Sequence, residues 1–299
     1  MLKQKLSSNK FIITSEFFPP KGINVSKMLQ KAKILKPFVD AVNITDCQRA
    51  VMRTSSLALS KMLLDHDIEP VYQITLRDRN SIALQSDILG AAVLGIENIL
   101  VISGDYPDIG DHKNAIPVYE LETVEFIKII KGLENGFDMM GKKLNGTPSF
   151  CLGTALNPNA TPFEMSLDAA VKKNLAGSSF FQTQPIFEIE KYLKLKNALT
   201  SDVSQKILVG VMLLKSYDFA KRIATIPGIY IPEEILERLK NAKDELNEGI
   251  NIAVNLVKQL RSHAKGVHIM AIGIEEHIPR ILEKSLEYRK YFIFSNFLY

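Results

Sequence analysis

Two carboxylates stand where apolar runs stop. The segment Phe11-Ile-Ile-Thr-Ser-Glu-Phe-Phe-Pro-Pro-Lys21 carries Glu16 into a stiff aromatic and proline loop, and Asn98-Ile-Leu-Val-Ile-Ser-Gly-Asp-Tyr-Pro107 places Asp105 directly after Gly104. An acid beside Phe17, Phe18, Pro19 and Pro20 is shielded from water, which favours the protonated form that a general acid needs. The alternative for Glu16 is an ion pair with a strand-end Arg or Lys, and for Asp105 a turn in which the carboxylate accepts backbone hydrogen bonds. Further polar residues end other apolar runs: Asn43, Thr45, Gln73, Thr75, Asn157, Gln182 and Gln184. Amides and hydroxyls of this kind suit hydrogen-bond recognition of a heteroaromatic ligand better than Lewis-acid hydrolysis. Gln182 and Gln184 flank Thr183 at strand alternation, so they share one face, and Gln184 at the strand end is the better ligand contact. Lys172 and Lys173 either reach a phosphate or complement a helix C-terminus. In Arg77-Asp-Arg-Asn80 two guanidinium groups follow the third strand and Asn80 suits a helix N-cap.

Something must bring these scattered residues to one place. Apolar runs bounded by turn signals predict eight strands at 11–16, 41–45, 70–76, 98–103, 148–155, 179–184, 206–213 and 266–272. Helical spacing predicts helices at 28–35, 55–65, 80–94, 118–133, 162–176, 187–199 and 275–286. The seventh connection is longer, with helices at 217–224, 232–242 and 245–263 before the last strand. Strands apolar enough to be covered on both faces, alternating with helices, predict a single (β/α)8 TIM barrel over residues 1–299, whose strand ends meet on one rim. A doubly wound open sheet is the alternative, but the first turn, Glu16-Phe-Phe-Pro-Pro20, lacks the glycine fingerprint of dinucleotide binding.

Composition narrows the classes. The 299 residues are 46% hydrophobic and 23% charged, enough to bury a sizeable core. The net charge of +4 comes from scattered lysines rather than a basic block interleaved with aromatics, so no nucleic-acid partner is expected. No apolar run approaches a membrane span, and Met1 to Ser7 lacks the core of a secretory signal, so the expected compartment is cytoplasmic. The two cysteines, Cys47 and Cys151, form no Cys-x-x-Cys pair, and none of the five histidines, His66, His112, His263, His268 and His277, pairs at metal-ligand spacing. No metal is expected. Neither Gly-x-Ser-x-Gly nor a phosphate-cradling glycine loop occurs, which disfavours nucleophile-elbow and P-loop chemistry. The aromatic tail, residues 288–299, is expected to pack on the barrel or dock a partner.

The order of short motifs Ser15-Glu-Phe-Phe-Pro-Pro20, Asn43-Ile-Thr45, Arg77-Asp-Arg-Asn80, Gly104-Asp-Tyr-Pro107, Ala176-Gly177 and Thr183-Gln184 resembles the methylenetetrahydrofolate reductase family over roughly residues 11–290. The resemblance implies a flavin-containing barrel that reduces 5,10-methylenetetrahydrofolate to 5-methyltetrahydrofolate by ping-pong hydride transfer. It implies that Glu16 protonates the folate, that Asp105 stabilises the cation formed, and that Gln184 contacts folate and nicotinamide in turn. Thr45, Gly104 and Lys173 match flavin-contact positions, with Lys172 beside them. Gln73 and Asn157, where other members carry a histidine and a tyrosine, match flavin-contact positions too, and the resemblance places Asp105 near the flavin as well as the pterin. Ser103 stands where some members carry an arginine, which opens FMN as an alternative to FAD. Phe219 and Ile223 align with substrate-face positions that in other members are a glutamine and a phenylalanine, which leaves the electron donor open between NAD(P)H and a reductant protein subunit. Shorter members work beside an accessory iron-sulfur subunit, and a homo-oligomer is a further option. Two other functions remain open: a reductase of another reduced pterin, and a non-catalytic pterin-binding barrel subunit.

Overall fold

The strand segments are short and rich in Ile, Val, Leu and Phe. In the computed structural model, which describes residues 2–286, they are β1 (Ile12–Phe17), β2 (Ala41–Ile44), β3 (Pro70–Thr75), β4 (Asn98–Ile102), β5 (Cys151–Leu156), β6 (Phe180–Ile186), β7 (Ile207–Met212) and β8 (Gly266–Met270). Each pairs in parallel with the next, and β8 returns to β1, closing an eight-stranded barrel. The (β/α)8 architecture expected from the apolar periodicity is the one observed. The aromatic tail lies outside the described residues.

The helices are α1 (Leu2–Leu6), α2 (Ser26–Leu35), α3 (Ser56–Leu64), α4 (Ser81–Val93), α5 (Thr123–Glu134), α6 (Glu164–Ala176), α7 (Ile189–Ala198), α8 (Ser201–Ser204), α9 (Tyr217–Ala224), α10 (Glu233–Lys240), α11 (Glu245–Leu260) and α12 (Ile278–Leu286). Their starts follow capping chemistry: Ser55, Asn80, Ser216 and Asp244 each accept a main-chain N–H of the first turn. α6 ends at Gly177, whose φ of 116° a side chain would oppose. The long seventh connection holds α9, α10 and α11, as expected. The short helices α1 and α8 lie outside the expected set, and β5 begins at Cys151 rather than at 148.

Strand alternation sorts the side chains. Ile13, Phe17, Val42, Ile44, Val209, Val211, Val267 and Ile269 face outward into a layer shared with α2, α7, α11 and α12. Tyr72, Ile74, Ile99, Val101 and Leu152 face a second outer layer with α4 and α5. Inward-facing Ile12, Ala41, Val71, Leu100, Cys151, Phe180 and Leu208 form an apolar floor at the N-terminal end of the barrel, which Leu2 of α1 completes from below. Gly153 is part of that packing: a Cβ there would lie 2.2 Å from the Phe180 ring, so the missing side chain makes room for a fully buried aromatic.

Above the floor the interior turns polar. Thr14, Asn43, Gln182 and His268 are buried side chains at inward positions, with Thr14 in register with His268 and Gln182 with Leu208. The β6–β7 ladder shifts register between Gln182 and Pro185, and there the Thr183 hydroxyl accepts the Gly210 N–H at 2.8 Å.

Candidate functional site

The polar tier opens into a cavity of about 250 Å³ at the C-terminal mouth of the barrel. Its wall includes Glu16, Gln48, Gln73, Ser103, Gly104, Asp105, Thr154, Lys173, Gln182, Gln184 and His268. Strand ends of a parallel barrel collect on this face, which is where such folds carry chemistry. A second cavity, about 390 Å³, lies at the opposite end and is lined by Lys10, Lys196, Arg261, His263 and Lys265 without a carboxylate.

Glu16, at the end of β1, is 7% exposed. Its Oε2 stands 3.5 Å from His268 Nε2, whereas Oε1 is buried without a hydrogen-bond partner among the described residues. Neither an arginine nor a lysine pairs with it among the described residues. Behind it runs a chain of hydrogen bonds across the barrel. His268 Nδ1 lies 2.9 Å from Thr14 Oγ1, Gln182 Nε2 donates to Thr14 Oγ1 at 3.2 Å, and Gln182 and Asn43 exchange two amide bonds of 2.6 and 3.1 Å.

Asp105 is exposed at the rim, and its Oδ2 accepts the main-chain N–H of Arg49 at 3.0 Å. Arg77, almost fully buried, donates to the carbonyl of Asp105 at 3.1 Å, to that of Cys47 at 3.3 Å and to the Asp78 carboxylate. The loop so gripped is strained: Cys47, Arg49 and Ala50 all have left-handed backbones, at φ of 43°, 55° and 53°. Gln48 lies within it, lines the cavity and has a buried Oε1 without a partner. The Gly104 backbone is also left-handed, at φ 85°, and its carbonyl accepts the Tyr119 hydroxyl. Below this loop, buried Asp46 accepts the Thr75 N–H at 2.9 Å and pairs with Arg79 at 2.7 Å, while Arg79 also reaches Asp87. Burial works against the Arg79 charge, and Asp46 more than offsets it, keeping the guanidinium protonated.

Lys173, on the inward side of α6, donates to the Ala155 carbonyl at 2.6 Å and pairs with no carboxylate among the described residues. Burial pulls its ammonium down to about 8. Its neighbour Lys172 is exposed on the outside of the helix.

Several residues singled out from the sequence thus meet at one cavity: Glu16, Gln73, Ser103, Gly104, Asp105, Lys173 and Gln184. Others do not line it. Thr45 is buried beside the mouth, with its hydroxyl on the Phe17 carbonyl at 3.4 Å. Asn157 caps its own loop, accepting the Asn159 N–H. Phe219 and Ile223 of α9 belong to an apolar cluster with Phe187, Met212 and Ile231. Gln48 and His268 line the cavity without having been assigned a role from the sequence; for His268 the usable signal was its inward parity in β8, between Gly266 and Met270.

The sequence profile described as methylenetetrahydrofolate reductase matches residues 1–286. Methylenetetrahydrofolate reductase 2 of Schizosaccharomyces pombe is 25% identical, over 95% of this chain and 47% of its own length. A probable methylenetetrahydrofolate reductase (NADPH) of Caenorhabditis elegans is 24% identical, over 94% of this chain and 43% of its own. The chain therefore spans a little under half the length of these relatives. Among solved structures, EDTA monooxygenase (EmoA) from Chelativorans sp. BNC1 superposes with a TM-score of 0.56 at 10% identity, over 93% of this chain and 94% of that one. A 2,3-dimethylmalate lyase of the PEP mutase/isocitrate lyase superfamily reaches 0.50 at 10% identity, over 96% and 85%. These two likenesses concern the barrel alone. With a family profile that runs through every strand of the barrel and two reductases that align over nearly all of it, the chain belongs to the methylenetetrahydrofolate reductase family.

Proposed function

We propose that this barrel carries out the flavin-dependent reduction of 5,10-methylenetetrahydrofolate to 5-methyltetrahydrofolate. The observation that carries the proposal is a buried acid whose Oε1 has no partner among the described residues, Glu16, in a cavity that also holds Lys173, an ammonium that pairs with no carboxylate among them. The family implies a flavin, and the residues present fit one. Amides from Gln48, Gln73 and Gln184 suit the edge of a heteroaromatic ring, and Lys173 suits a phosphate. FAD is the proposed form, with FMN the alternative, because Lys173 is the only Lys or Arg in the cavity wall among the described residues. When bound, the flavin would supply the hydride acceptor and donor.

The chain's own part is binding, orientation and one proton. Glu16 in its acid form would protonate a ring nitrogen of the folate, opening the five-membered ring to an iminium cation. Asp105, held at the rim through Arg49, would stabilise that cation by its negative charge. Gln184, at the mouth, would hydrogen-bond the pterin and then the nicotinamide as each occupies the same face in turn. NADPH is the proposed donor by likeness to the Caenorhabditis elegans protein's name, with a reductant protein as the alternative.

An anaerobic visible spectrum of the purified protein, before and after 5-methyltetrahydrofolate, NADH or NADPH, tests this. Bleaching of flavin bands by the folate supports the reaction, and bleaching by a nicotinamide identifies the donor. Bleaching by folate alone points to a protein donor. A protein that takes up no flavin on reconstitution refutes the proposal.

A further inference from the structure

The residue facing Glu16 is not one of the acids and amides gathered on the rim but a histidine of the last strand. His268 is 2% exposed, and β1 and β7, the strands flanking β8, present no other titratable side chain than Glu16. The remaining charged groups in the cavity wall are Asp105 and Lys173. On the outer side of β8, α11 carries Glu245, Glu248 and Lys258, separated from the ring by the sheet.

With the Asn43 and Gln182 amides oriented as they stand, the hydrogen-bond chain behind the ring selects the nitrogen that carries the proton. Asn43 and Gln182 exchange two amide bonds, so Gln182 has one N–H left, which it gives to Thr14 Oγ1. The threonine hydroxyl has one proton of its own. Its contacts are His268 Nδ1 at 2.9 Å and the Val267 carbonyl at 3.5 Å, and the shorter one takes the proton. Nδ1 is then an acceptor and the ring proton sits on Nε2, the atom facing Glu16. At 3.5 Å this contact is longer than an ordinary hydrogen bond, as unliganded catalytic pairs often are before substrate tightens them.

We propose that His268 is the positioning residue for Glu16: fixed as the Nε2–H tautomer by Thr14, Gln182 and Asn43, it holds Oε2 so that Oε1 faces the cavity, and it stabilises the carboxylate left once the proton has been given. The proton balance is simple. Glu16 O–H breaks, a substrate N–H forms, and the Nε2–H stays on the ring, donating to the new carboxylate without transferring. The proposal rests on Glu16 as the proton donor, and it extends the acid into a buried relay of orientation that spans β8, β1, β6 and β2.

Two measurements test it. Long-range ¹H–¹⁵N spectra of histidine-labelled protein report the tautomer directly. His268 should carry a proton on Nε2 and accept at Nδ1, and Thr14→Val, which removes the hydroxyl that dictates this, should give a mixture of tautomers. A wild-type ring protonated on Nδ1 alone overturns the proposal whatever the substrate is. The second measurement is single-turnover kinetics with methylenetetrahydrofolate on the flavin-loaded protein. His268→Leu should slow the folate step about 10- to 100-fold, as loss of an orienting partner does, with folate affinity and the nicotinamide step unchanged. His268→Gln keeps an N–H near the position of Nε2 and should recover most of the rate. A His268→Leu rate within twofold of wild type overturns the positioning role. If His268→Leu does not fold, the Gln and Val variants carry the same comparison, and a slow His268→Gln beside a fast Thr14→Val overturns it. Failure of the wild type to turn over folate, with the expected tautomer present, counts against the substrate and leaves the pairing intact.

Discussion

Replacing Lys173 by methionine should make the ligand-free protein more stable and the flavin bind less well. At about 1.4 kcal/mol per pH unit, the difference between an ordinary lysine at 10.5 and Lys173 at about 8 is a charge-burial cost of about 3 kcal/mol. Methionine fills nearly the same volume without the charge, but it gives up the bond to the Ala155 carbonyl, worth about 1 kcal/mol. The net gain near neutral pH is about 2 kcal/mol, or about 4 °C in Tm for a domain of this size. The sign with pH follows from which state releases its proton first. The folded pKa is the lower one, so below about 8 both states hold the proton and the full cost is present. Between about 8 and 10.5 the unfolded chain keeps a proton that the folded one has lost, so wild-type stability rises with pH and the gap to the variant closes. Urea unfolding of the apoprotein at a series of pH values from 6 to 10.5 measures this. Flavin titration provides the counterpart: losing a charge-assisted bond to phosphate should weaken binding about 10- to 100-fold. A variant less stable than wild type at pH 7, by an amount that does not change with pH, would refute the reasoning.

Glu16→Gln should retain flavin and the nicotinamide half-reaction while slowing the folate half-reaction about 10²- to 10⁴-fold, read by stopped-flow absorbance. Gly153→Ala drives a methyl into the Phe180 ring and should cost about 1–3 kcal/mol in urea unfolding without changing the folate step. Asp46→Ala leaves half-buried Arg79 with Asp87 as its remaining carboxylate among the described residues and should cost about 1.5–3 kcal/mol by the same assay, as loss of a charge-assisted hydrogen bond does; a loss under about 0.5 kcal/mol would mean that water replaces the carboxylate. Gln48→Leu removes the orphaned acceptor of the strained loop, so stability should hold within about 1 kcal/mol while ligand affinity falls; unchanged affinity for flavin and folate would make Gln48 a spectator.

The barrel was legible because each of the eight segments carries apolar residues at successive positions, as strands covered on both faces require, even where Thr14, Asn43, Gln182 or His268 interrupts the run. The overshoot at β5 came from Pro148 to Phe150, which look strand-like but precede the first paired residue, Cys151. α1 and α8 span five and four residues, too few for a helical period to register. At the site, Glu16 and Asp105 were visible because an acid closing an apolar run is conspicuous. His268 was not, because a lone histidine inside Gly266 to Met270 looks like core, and its partners Thr14 and Glu16 come from the other end of the chain. Gln48 was hidden for a different reason: left-handed backbone at Cys47, Arg49 and Ala50 follows no residue preference and is held by Asp105 and Arg77 from the loops after β4 and β3.

The vertical layering of the barrel interior has a consequence for how this protein can change. Leu2, Ile12, Val71, Phe180 and Leu208 form its lower storey, and Thr14, Asn43, Gln182 and His268 the one above. Robustness and chemistry therefore occupy different heights along one axis, two residues apart on each strand. A lineage could alter the upper storey and try new substrates on an intact foundation, or harden the lower one against heat without retuning the proton donor.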